Sequence, residues 1–354
     1  MRKNMKRKTN VKSSIMVLLL IAVLLIASTY AWFTSNRTVT ISSIDVNVAA
    51  SSGIQISVDG ITWKTIITGE ELLAANEHTT YSGAINQIPI GTGAGQLTPV
   101  STAGNITNGK LDMFYGVVEA DDSAGGIYKL SATKETDAAG NTGKYIAFDV
   151  FVKADVESDI YLTDSSDVVV PASSSDKGIK NAARVAFCVL GHSNNLNDTT
   201  GAAYQSLLDA NPRTIIWEPN YDDHKDSAIT HANQNYGQTI TSSTAKLNYY
   251  GISSEISTPQ VLTATTNMTE VTNTLGTKAG RQALLSREHA TGTPAYTQGT
   301  LKLQEAKMAA GVSKVRIYMW IEGQDYDCEN QASGTAVRFD VGFTIDPTAA
   351  NLPD

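Results

Sequence analysis

The segment Trp217-Glu218-Pro219-Asn220-Tyr221-Asp222-Asp223-His224 gathers carboxylate and amide oxygens beside one imidazole. Those donors suit a hard cation such as calcium or, with ligands from elsewhere, zinc. Pro219 and Asn220 equally read as a turn and Trp217 as a core plug, and the turn is the favoured reading. Asp325-Tyr326-Asp327-Cys328-Glu329 also invites calcium, but it lacks the glycine and the spaced oxygens of a helix–loop–helix site. A solvated turn after a core strand accounts for it better. No two of the histidines (His78, His192, His224, His231, His289) stand at the i, i+4 spacing of a zinc-peptidase helix. His224 and His231 are two helical turns apart, yet Asp226 and Asn233 favour a loop there. No HExxH, Gly-x-Ser-x-Gly elbow, phosphate loop or dinucleotide fingerprint occurs. Cys188 sits between Phe187 and Val189 in an alternating apolar run, where a thiol is inert. The expectation is therefore no catalytic residue, no cofactor, no metal and no enzyme.

What delivers these residues to their compartment is written at the N-terminus. Arg2, Lys3, Lys6, Arg7, Lys8 and Lys12 precede an uncharged apolar run from Ile15 to Ala27, followed by Ser28-Thr29-Tyr30-Ala31 and Trp32-Phe33. A cationic flank, a partitioning segment and small residues at a junction form the pattern of a secretory signal. Cleavage by signal peptidase between Ala31 and Trp32 is the favoured reading. The rival is a retained membrane helix over 15–33, roughly 28 Å long at about 1.5 Å per residue. Either reading puts the rest of the chain outside the cytoplasm, extracellular or at the cell surface, with membrane contact only through 15–33 if uncleaved. A pilin would be cut before its apolar helix, and here the small residues follow it. Without the first 31 residues the chain holds 21 basic and 35 acidic residues, a net charge of −14, which repels nucleic acid.

Past Ala31 the dominant period is two. Val39 and Ile41 share one face, and after Ser42-Ser43 the apolar set shifts to Ile44, Val46 and Val48, as a bulge or strand break would produce. Ile54, Ile56 and Val58 alternate up to Asp59-Gly60, a hairpin signal with positive φ at both central positions. Further alternation over 144–153, 183–190, 314–322 and 336–345 predicts antiparallel sheet with one wet face. Short helices are expected over 69–76, 204–210, 278–287 and 301–310. The segments divide as 1–31 signal peptide or anchor, 32–190 first part of the β domain, 191–299 a polar insertion or small lobe, and 300–354 its last strands. Cys188 and Cys328, an even count outside the cytosol, favour a disulfide over two buried free thiols. Such a bridge would close about 140 residues, worth roughly 4–5 kcal/mol.

The junction ASTYAWFTSN, followed directly by ISSIDVNVAASSGIQISVDGITW, resembles the precursors handled by SipW-type signal peptidases, the TasA and camelysin-like surface proteins of Gram-positive bacteria. KYIAFDVFVKA, NAARVAFCVLG, IIWEPNYDDH, KVRIYMWIEGQDYDC and VRFDVGF are similar to a clostridial branch of such secreted proteins. The resemblance does not reach the 191–299 insertion. It implies a jelly-roll-like β-sandwich and, as in relatives that polymerise, insertion of an N-terminal strand into a neighbour's sheet. Val39, Ile41, Ile44, Val46 and Val48 would form that strand; its rival is pairing within the chain's own domain. The expected function is a structural surface protein, a fibre or biofilm-matrix subunit that associates with itself or other surface proteins. The alternatives are an adhesin-like module recognising glycan or protein through 191–299 and a camelysin-like metallopeptidase.

Overall fold

The computed structural model describes residues 44–50, 53–73, 81–89, 97–121, 127–138, 142–163, 165–235, 238–261, 267–271, 282–290, 293–297, 308–329 and 334–345. Ala31, Trp32, Val39, Ile41 and the expected N-terminal helix lie outside these residues. The chain is mainly β, with 45% strand against 10% helix, in several antiparallel sheets. Among the described residues no helix is long and apolar enough to cross a membrane.

The largest sheet has eight strands. Gly311–Ile321 lies at its middle, antiparallel to Ala183–Ser193 on one side and to Ile146–Ala154 on the other. Beyond Ala183–Ser193 come Arg213–Glu218, Gln282–Ala290 and Thr293–Thr297; Ile54–Ser57 and Asn86–Gln87 pair with the outer side of Ile146–Ala154. Alternation fixes which side chains face inward. Phe148, Val150, Phe187, Val315, Ile317 and Met319 enter one cluster, while Ala147, Ala186, Cys188, Tyr318 and Trp320 point into another. The second face is not wet. Segments around Val100, Leu111, Met113, Tyr249 and Val271 cover it, and every residue of Gly311–Ile321 is buried. Tyr145, Tyr318 and Trp320 at the positions read as solvent-facing were the sign that this face carries a core of its own.

A second sheet closes the first cluster from the other side. Ile44–Ala50 lies in it between Val337–Thr344 and Ile66–Thr68, and Tyr161–Leu162 and Asp167–Val169 pair with the far side of Val337–Thr344. Phe187 of the large sheet meets Phe343 of the small one edge to face, ring centroids 5.9 Å apart. Among the described strands, two pairings depart from an all-antiparallel plan: Ile44–Ala50 runs parallel to Val337–Thr344, and Arg213–Glu218 parallel to Gln282–Ala290. The Asp59-Gly60 turn is also wider than a two-residue hairpin. Ile56 bridges Lys64, Gly60 alone takes positive φ (+74°), and the Asp59 carboxylate accepts the Ile61 and Thr62 amides.

Within 191–299, described strands pair with the rest of the chain. Arg213–Glu218 is an inner strand of the large sheet, and Ile256–Val261 pairs with Ile127–Lys134. All six residues of Arg213–Glu218 are buried, so no polar alternation marks it as a strand. The helix read over 278–287 is the strand Gln282–Ala290, whose parallel partner overrides local propensity. Helices form at Gly69–Leu73 and Ala202–Gln205, while residues 206–210 of the helix expected over 204–210 are not helical. Residues 301–307 lie outside the described set, and Met308 bridges Ser158. Asp226–Asn235 is a helix where a loop was expected: Ala228, Ile229 and Ala232 bury one face and Asp226 sits in the first turn.

Buried charges staple the second face. Arg316 and Asp149 are cross-strand partners, with Arg316 Nε 2.6 Å from Oδ1 and Nη2 3.0 Å from Oδ2. The same guanidinium donates to the carbonyls of Gly109 (2.8 Å) and Gly83 (2.7 Å). Tyr81 donates to Asp149, and Lys314 Nζ lies 3.9 Å from it while donating to the Gln205 carbonyl.

The expected bridge between Cys188 and Cys328 is corrected to two free thiols. Cys188 points into the cluster on one face of the large sheet, whereas Cys328 packs against the cluster on the other. Burial pushes the Cys188 thiol up to about 12 and raises Cys328 as well, so neither carries the reactive thiolate near neutral pH. Unreduced protein in denaturant should react with two equivalents of Ellman's reagent, and native protein with neither thiol on a minutes timescale. Fewer than two thiols in denaturant would restore the bridge.

Candidate functional site

Two places concentrate interaction capacity, and the first is the strand Ile44–Ala50. It matches Val337–Thr344 over seven residue pairs, including Val46 with Phe339 and Val48 with Val341. Its other neighbour, Ile66–Thr68, covers only Asn47 to Ala49. Val48 is wholly buried in the cluster between the sheets. Of the residues assigned to an assembly strand, Ile44, Val46 and Val48 are thus paired within their own domain. Ile66, on the short neighbour, is 55% exposed.

The second place joins two motifs that read as unrelated turns in the sequence. The strand Arg213–Glu218 ends at Glu218, and the following turn presents His224; Gly311–Ile321 runs on into Glu322 and the turn 323–329. These ends are adjacent because both strands flank Ala183–Ser193, which contributes Arg184. Arg184 Nη2 contacts both Glu218 Oε1 and Asp325 Oδ2, and its Nη1 donates to the carbonyls of Asn181 (2.8 Å) and Ala183 (3.0 Å). The guanidinium also lies over the Tyr249 ring, 5.3 Å from its centroid. Glu322 accepts from Tyr249 Oη (2.8 Å), Trp320 Nε1 (3.0 Å) and the Gln324 amide (3.0 Å).

His224 is held on both sides. Nδ1 lies 2.7 Å from Asp327 Oδ2, and Nε2 lies 3.0 Å from the Ala245 carbonyl. The Lys225 amide donates to Asp327 Oδ1 (2.8 Å) and the Asp327 amide to Asp325 Oδ1 (2.8 Å). Burial raises the Asp327 carboxyl against the opposing His224 hydrogen bond. For His224, burial works the other way but is outweighed by that bond and the neighbouring Asp325 and Asp327 charges, which raise its pKa. Each partner therefore tends to hold the proton between them. Burial drives Glu218 up to about 7 despite Arg184.

Each motif lacks enough ligands on its own, and nothing in the sequence between Lys225 and Asp327, 102 positions apart, signals that they meet. Only the strand order does. His231, on the helix Asp226–Asn235, approaches Glu329 (3.2 Å), so the same two segments touch twice. No family model, curated protein or solved structure matches the chain.

Proposed function

We propose that this chain is an exported surface or extracellular structural protein, a jelly-roll-like β-sandwich that serves as a fibre or matrix subunit and assembles through its N-terminal strand. The observation that carries this reading is the placement of Ile44–Ala50. An alternating strand close behind the leader pattern is sandwiched between a long parallel partner and a three-residue outer neighbour. Main-chain hydrogen bonds and the Val48 pocket would accept the same strand from an adjacent copy as readily as its own. The acidic body and the resemblance to secreted surface proteins support the same reading.

Purified protein should form filaments visible by negative-stain microscopy, and protein from the culture supernatant should begin at Trp32. Val46→Asp, which places a charge opposite Phe339, should abolish filaments. A protein that stays monomeric at all concentrations while binding a glycan or peptide would replace this reading with the adhesin-like one.

A further inference from the structure

We propose that His224, Asp325 and Asp327 bind one first-row divalent cation of the zinc or manganese type, which clamps the segment entering the helix Asp226–Asn235 onto the turn that follows the central strand. One ligand atom from each residue lies within 4.8 Å of the others. The His224 ring is oriented as metal-bound imidazoles are: Nε2–H donates to a backbone carbonyl, which turns Nδ1 toward the Asp327 carboxylate. Asp327 shows the matching arrangement, one oxygen fixed by the Lys225 amide and the other turned to the site. A mixed imidazole and carboxylate set suits zinc or manganese better than calcium, which takes oxygen.

An independent observation points the same way. Glu218 is 4% exposed and shares the Arg184 nitrogen with Asp325, yet its Oε2 has no partner among the described residues. Buried polar atoms are normally satisfied by protein, water or an ion. Here Glu218 and Asp325 share one guanidinium, and Asp327 faces one imidazole. A divalent ion in place of the proton between His224 and Asp327 supplies the missing positive charge. The cluster works as a clamp rather than a catalytic centre, because the ligand side chains are anchored by Arg184, the Ala245 carbonyl and the Lys225 amide.

The test is calorimetric titration of the purified, chelator-stripped protein with zinc chloride, then with manganese chloride. One equivalent should bind, and affinity should fall at least tenfold in His224→Gln and in Asp327→Asn but not in His231→Gln. Should either variant fail to fold, zinc K-edge absorption on the unmodified protein decides instead. A shell of nitrogen and oxygen at about 2.0–2.2 Å with one imidazole is expected. Absence of binding, loss of affinity only in His231→Gln, or a sulfur shell at about 2.3 Å from Cys328 would each overturn the proposal. The first would leave the cluster as an imidazole–carboxylate pair.

Discussion

Asp149→Ala is expected to lower the unfolding free energy by about 3–5 kcal/mol, read as a shift of the urea midpoint at unchanged m-value. The carboxylate is fully buried and faces two cations, Arg316 in bidentate contact and Lys314 at 3.9 Å. Its removal leaves both charges without a counter-ion in a place water does not reach. Arg316→Met should cost less, since Lys314 and Tyr81 remain to meet the carboxylate. The combined Asp149→Leu, Arg316→Met protein should recover much of the loss, because two apolar side chains need no desolvation. Recovery stays partial, since the Gly83 and Gly109 carbonyls lose their donor and two loops lose their tether. A loss below about 1 kcal/mol for Asp149→Ala, the range of exposed pairs, would mean that this face is open to solvent.

That pair also marks how far the sequence could be read. Val315, Ile317 and Met319 against Phe148 and Val150 announce a pleated inner face, and the strands carrying them are where alternation puts them. The intervening Asp149, Lys314 and Arg316 look like a solvent face in one dimension. Only pairing across the sheet turns them into a buried acid between two bases. The site at His224 was hidden for the same reason. Each half lacks ligands, and the halves meet because Ala183–Ser193 lies between the strands that lead to them. Arg213–Glu218 failed to register because burial on both faces erases the period of two. Gln282–Ala290 was misread because its strand form depends on a parallel neighbour far away in sequence.

Trp217 tests whether Arg213–Glu218 belongs to the core. It is fully buried in the cluster between the two sheets, opposite Val185 on one side and Leu285 on the other. If the stretch after residue 190 were a dispensable lobe, its largest side chain could be truncated at little cost. As an inner strand, Trp217→Ala should lose about 3–5 kcal/mol through lost burial and the cavity left behind. Truncation of Val156, 56% exposed, should stay within about 0.5 kcal/mol. Trp217→Phe separates packing from polarity. The indole Nε1 has no acceptor among the described residues, so phenylalanine sheds an unsatisfied donor as it gives up part of the ring. Its loss should therefore be less than half that of alanine. If Trp217→Phe were as damaging as Trp217→Ala, the indole N–H would have to be satisfied and the strand placed differently. If both were near neutral, Arg213–Glu218 would not belong to the core.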